Sequence, residues 1–276
     1  MKRSLPALLI LSSAIRAQPA TPYPQGIPPA PTYSVQELDQ LVAPYALYPD
    51  PLLAQLLTAS TFSNEIPDAD GWARSHAYLT GDALARAIQD DNLQWDPSVI
   101  ALLPTPAVLD MMAGDMGRTE ELGDAVLVNR ATVMDAIQDQ RQKAFNYGYL
   151  RSNAQDRVVT AGPGDIEILP ANPNVVCIPY YDPNVVYFRP APGFFIGGAI
   201  TFGPGIYVGA FLPWGWDATF AWKAHNIIIA GRPWERTWMN PGYIHPYPMR
   251  PRVTPGPRIE RHELREYRPA PRGVRR

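Results

Sequence analysis

Apolar residues recur at helical spacing from about residue 35 to Tyr149, in short separate runs rather than one long one. Leu38, Leu41, Val42 and Tyr45 make a first apolar face. Leu52, Leu53, Leu56 and Leu57 make a second, followed by the sets Leu84/Ala87/Ile88, Val99/Leu102/Leu103 and Val108/Leu109/Met112. The longest run begins near Thr119, carries Leu122, Ala125, Val126, Val133, Ile137 and Phe145, and meets a stop at Gly148. Ser34 followed by Glu37 is the reciprocal capping pattern that opens the first helix. Near Arg157 the period changes. "RVVTA", "IEIL", "VVCIPYY" and "VVYF" are short β-branched or aromatic runs divided by turn compositions. "NPNVV" at Asn172 and "DPNVV" at Asp182 predict two adjacent strands entered by the same turn, in a small antiparallel sheet. "NIIIAG" predicts one more strand.

This pattern predicts an α+β chain: a helical domain over 34–150, a small β segment over 155–190, and a glycine- and aromatic-rich segment over 191–240. Within the last, residues 193–216 are uncharged and about membrane length, with glycines at the spacing that lets membrane helices approach. The "GPG" in their middle breaks a helix and reads as the turn of a hairpin. A glycine-rich hairpin or an irregular packed segment is the reading preferred, and membrane contact through 193–216 the alternative.

Composition adds the two ends. The 32 prolines crowd residues 19–31 and 241–271, which predicts an extended linker over 18–33 and a disordered tail over 241–276. Lys2 and Arg3 precede the apolar run Leu5 to Leu11 and small residues, the pattern of a signal peptide over 1–17. That run is too short to span a bilayer, which takes about 20 apolar residues. The expected location is therefore periplasmic or secreted, with membrane association as a further possibility. The net charge of −2 conceals a lopsided distribution, because arginines accumulate in the tail. Among them Arg258, Arg261, Arg265 and Arg268 could contact an anionic lipid or lipopolysaccharide surface by bidentate hydrogen bonds to phosphate. Nucleic acid is not expected as a partner outside the cytoplasm.

Few residues suggest catalysis. Asp50 stands between two prolines before a leucine run, and the same device recurs as Asp96-Pro97 and Thr105-Pro106. A side-chain oxygen accepting from the first helical turn, with proline at N1, explains all three as helix starts. Glu65, Asp68 and Asp70 are the local candidates for general acid and base work of a cell-wall or glycan hydrolase. His76, His225, His245 and His262 lack the spacing of a metal site, and no phosphate loop or nucleotide motif is present, so neither metal nor cofactor is expected. Cys177, the only cysteine, excludes an internal disulfide and is expected as a buried thiol.

The strings "YSVQELDQLVAPYALYPDPLLAQLLTAST", "WDPSVIALLPTPAVLDMM", "ELGDAVLVNRATVMDAIQDQR" and "PANPNVVCIPYYDPNVVY" resemble, in order, a bacterial family known as domain of unknown function number thirty-three hundred. The resemblance implies an exported Gram-negative protein with a helical domain and a short β segment, and it assigns no catalytic residue. The chain departs from the family pattern at Cys177, where a tyrosine is usual. Together these readings favour a non-enzymatic interaction or scaffold protein of the cell envelope that contacts another envelope protein or the anionic surface. A hydrolase is the alternative, and a membrane-inserting element the weaker one.

Overall fold

The computed structural model describes residues 28–161, 164–191, 193 and 197–242. The export signal, most of the proline-rich linker and the tail with Arg258, Arg261, Arg265 and Arg268 lie outside the described residues. Residues 28–30, the described part of a first unit that ends at Ala30, have no regular structure.

The described residues from Pro31 to Gly242 form one compact unit. Helix α1 (Val35–Val42) begins with the predicted capping box, Ser34 and Glu37 each bonding the other's backbone N–H. Helix α2 (Asp50–Ser60) is buried along nearly its whole length. Helices α3 (Ile66–Ser75), α4 (Gly81–Asp90), α5 (Pro97–Ala101) and α6 (Pro106–Gly114) follow, with α5 packed on α2 and α3 on α6. Helix α7 (Met116–Asn146) then crosses the group and ends at Gly148, whose φ of 89° supplies the left-handed turn expected there. Its path breaks at Asn129, where φ is −154° and ψ 87°. The Asn129 carbonyl and side chain bond the Thr132 hydroxyl and backbone N–H, capping the second half. Where α7 crosses the end of α2, a Cβ on Gly123 would lie 2.2 Å from the Ser60 carbonyl oxygen, so only glycine permits this approach.

The β half follows. Strands β1 (Asp156–Thr160) and β2 (Ile166–Pro170) fall in the runs "RVVTA" and "IEIL" and pair antiparallel. The next four strands are β3 (Val175–Val176), β4 (Pro179–Tyr181), β5 (Ile200–Phe202) and β6 (Ile206–Tyr207). β4 pairs with β5, and β3 with β6. Tyr181 faces Ile200 and Pro179 faces Phe202, but Val176 faces Ile206, so the register slips by one residue. The "GPG" of 203–205 is therefore a bulge within one interrupted ladder, not the hairpin turn expected. A second expectation also fails: "DPNVV" forms the short helix α8 (Pro183–Val186), capped by Asp182 on the Asn184 N–H, rather than a strand. Strands β7 (Thr219–Ala221), β8 (Asn226–Ile229) and β9 (Arg232–Pro233) close the fold as a small sheet, with "NIII" a strand as predicted.

One hydrophobic core runs through both halves, joining Leu52, Leu56, Val133 and Ile137 to Ile168, Phe211, Trp214, Ile227 and Trp234. Among the described residues of 193–216, Val208, Phe211, Trp214 and Trp216 are buried in this interior, while Tyr207 and Leu212 stay about half exposed. Among the described residues no helix is long and apolar enough to cross a membrane.

Candidate functional site

The most buried ionic feature is at Asp50, and it corrects the helix-cap reading. The residue before α2 is Pro49, which offers no side-chain cap, and the Asp50 carboxylate turns instead into the core. It accepts from Arg141 at 2.7 Å, from the Trp222 indole N–H at 3.2 Å and from the Ile168 N–H at 3.3 Å. Arg141, itself wholly buried, also donates to the carbonyls of Ala46, Tyr48 and Ile166, and its guanidinium lies 4.9 Å from the Trp222 ring centre. Burial pushes the Asp50 carboxyl up from its ordinary value, while the Arg141 charge and these hydrogen bonds pull against that. Tyr181 and Tyr187 add hydroxyl bonds to the Ala43 carbonyl, and Leu47 N–H donates to Tyr181. The turn between α1 and α2 is thus held by Arg141 of α7, by Tyr181 of β4 and by Tyr187 just beyond α8. This arrangement is architectural, since each donor is already matched to an acceptor. The sequence parallel that misled holds at Asp96, which caps Ser98, but Thr105 spends its hydroxyl on the Leu102 carbonyl.

The three acids singled out for hydrolysis are engaged separately. Glu65 is half-buried, accepts the Asp96 N–H at 2.6 Å, and is raised by burial. Asp70 pairs with Arg74 at 2.8 Å. Asp68 is exposed, and two residues from Asp70 along α3 it points roughly 200° away around the helix. None of the three lines either cavity described below. Cys177 is a free thiol and, contrary to expectation, partly exposed, because it falls at the bulge between the buried Val176 and Ile178. Among the described residues no group of three His, Cys, Asp or Glu side chains could hold a metal ion.

Two concave sites among the described residues each enclose about 510 Å³. The first is an apolar groove of about 510 Å³ between the helices and the bulged ladder. Leu79, Leu84 and Leu103 form its helical wall; Ile178, Pro204 and Ile206 form the other. Tyr180 and Tyr207 flank it, each about half exposed at 50% and 51%. Glycine makes this possible. A Cβ on Gly203 would lie 3.2 Å from the Tyr180 ring, and one on Gly81 would meet Tyr207 at 3.5 Å. The second is a cavity of about 510 Å³ beside β1, between the segment after α7 and the β4–β5 ladder. Its wall includes Asp156, whose carboxyl is pushed up to about 7 by burial, with Arg141 acting weakly against that. Sequence reading singled out neither Asp156 nor the two tyrosines. The only trace was that "GPG" interrupts an aromatic, β-branched stretch.

These features define a class: an α+β module with a single core, locked internally by a buried ion pair and presenting a tyrosine-flanked groove. The chain belongs to the family described as "Protein of unknown function (DUF3300)", whose profile matches residues 34–241. It is similar to the uncharacterized protein YacH of Escherichia coli (strain K12), with 34% identity over 214 residues, covering 65% of this chain and 34% of the relative. The chain thus spans about a third of that relative's length. No solved structure matches it.

Proposed function

We propose that this chain is a non-enzymatic interaction protein of the cell envelope, exported to the periplasm or beyond, that docks an extended polypeptide segment of an envelope partner in the Tyr180/Tyr207 groove. The observation that carries this reading is the groove itself. An apolar trough flanked by half-exposed aromatic rings suits a chain that presents apolar or proline side chains without its own secondary structure. Proline-rich segments fit such grooves because little entropy is lost on binding. Asp50, Glu65 and Asp70, by contrast, are engaged by structural partners. The signal-like N-terminus supports export, and the tail arginines Arg258, Arg261, Arg265 and Arg268 would hold the protein near anionic headgroups.

A photo-crosslinking residue placed at Tyr207 of the full chain, in its native envelope, should give a discrete adduct that one at exposed Glu235 does not. Identical adduct patterns at both positions would sink the groove as the docking surface. Deleting residues 250–276 should weaken binding to anionic vesicles and reduce its salt dependence. Unchanged binding would remove the tail from the proposal.

A further inference from the structure

The cavity beside β1 holds the least compensated charge-bearing group described in the fold. Asp156 is only 3% exposed, and its Oδ1 is buried without a hydrogen-bond partner among the described residues. Its backbone is already spent, since its N–H donates to Asn153 Oδ1 and its carbonyl accepts from Asn153 N–H. Arg141 is the cation that acts on it, but that guanidinium is committed to Asp50 and to three backbone carbonyls. A buried carboxylate with no partner costs far more than one that is paired, and such residues persist mainly where something else supplies the missing charge. The adjoining space suits a small ligand. At about 510 Å³ it falls within the range of small-molecule sites, and Leu47 and Phe202 give it apolar wall while Tyr149, Ser152 and Gln155 add polar groups.

We propose that this cavity binds a primary ammonium group, with Asp156 as its counter-ion. The chemistry follows from the carboxylate in the wall: it accepts hydrogen bonds and its negative charge calls for a cation, and a compact ammonium with three donors can answer a single carboxylate oxygen. Arg151 lines the same cavity, stacked 5.0 Å from the Phe145 ring centre. It could receive a carboxylate on the same ligand. The ammonium therefore has two sources, a simple amine or the amino end of an amino acid. This inference is independent of the tyrosine-flanked groove.

The charged or titratable groups around Asp156 are Arg141 from α7, Cys177 from the neighbouring ladder, and Arg151 and Tyr149 in the cavity wall. Cys177 provides a built-in reporter, because its thiol is held up by burial and by the Asp156 charge. Calorimetric titration of the full chain with butylamine, putrescine and alanine tests the site. At least one should bind saturably at pH 8, and binding should be about tenfold weaker at pH 6, where most Asp156 is protonated. Bound ammonium should also speed the reaction of Cys177 with a disulfide reagent. Alanine binding lost in Arg151→Ala would mark the amino-acid source, and butylamine or putrescine binding indifferent to that change the simple-amine source. Asp156→Asn should abolish binding while exposed Asp217→Asn leaves it intact. Saturable binding retained by Asp156→Asn, or none by any of the three probes to the wild-type chain, would overturn the proposal.

Discussion

At the scale of single residues, identical local contexts lead to different roles. Asp50 and Asp96 both precede a proline at a helix start, yet one is a buried counter-ion and the other a cap. Their substitutions should separate sharply. Asp50→Asn leaves Arg141 charged and unpaired in the core, which should cost about 3–5 kcal/mol in urea unfolding. Asp96→Ala should cost about 1 kcal/mol, the usual worth of a cap. Equal losses would mean that the Asp50–Arg141 pair contributes no more than a surface feature. Asp156 carries a pH dependence of the opposite sense to most acids. Folding raises its carboxyl from 3.8 to about 7, so the folded state holds the proton more tightly. The associated stability is present at acid pH and is lost as pH rises through about 7. Asp156→Asn should therefore be more stable than the parent at pH 8, by on the order of 2–4 kcal/mol. The difference should fade below about pH 4. Thermal unfolding across that range checks both sign and window.

At the scale of elements, close approach and interruption matter more than propensity. Alanine in a helix interior normally gains about 1 kcal/mol over glycine. At Gly123 the added Cβ would sit 2.2 Å from a backbone oxygen of α2, so the two helices would have to separate. Gly123→Ala should destabilise by about 1–3 kcal/mol net, as overpacking does, and a gain in melting temperature would show that this crossing yields cheaply. The break at Asn129 works with the β half. Beside it the Leu127 carbonyl accepts from the Trp238 N–H, and Arg130 reaches Asn226 and the Arg236 carbonyl. Element boundaries with adjacent signals were legible in advance: the Ser34 box, Asp96, the stop at Gly148, the runs of β1 and β2, and "NIII". The bulge at 203–205 and helix α8 were not. "GPG" has the same composition in a turn as in a bulge, and "DPN" starts a helix or a turn according to what the next residues can pack against.

At the scale of the whole molecule, the helices and the β segment share one interior. Arg141 of α7 needs acceptors from the α1–α2 turn and from β2, while Asp50 of α2 needs Trp222, just beyond β7. Far-UV circular dichroism reports mainly the helices, whereas five of the seven tryptophans, whose fluorescence is the second signal, lie in the second half, with Trp72 and Trp95 in the first. The two signals should therefore trace one coincident unfolding transition. Separate transitions would show that the halves are independently stable.

Sequence by itself determined where most of the N-terminal helices and the strand "NIII" begin, because caps, stops and periodicity act between residues a few positions apart. It also determined the family, through ordered strings that survive without any knowledge of contacts. Only the tertiary structure decided what the charged side chains do. Asp50 looks like a cap until Arg141, Trp222 and Ile168 arrive from distant parts of the chain, and Asp156 looks like an ordinary strand-end acid until burial removes its water and leaves it facing a cavity. A charge's role depends on its surroundings after folding, and those surroundings are set by long-range packing that no local pattern encodes.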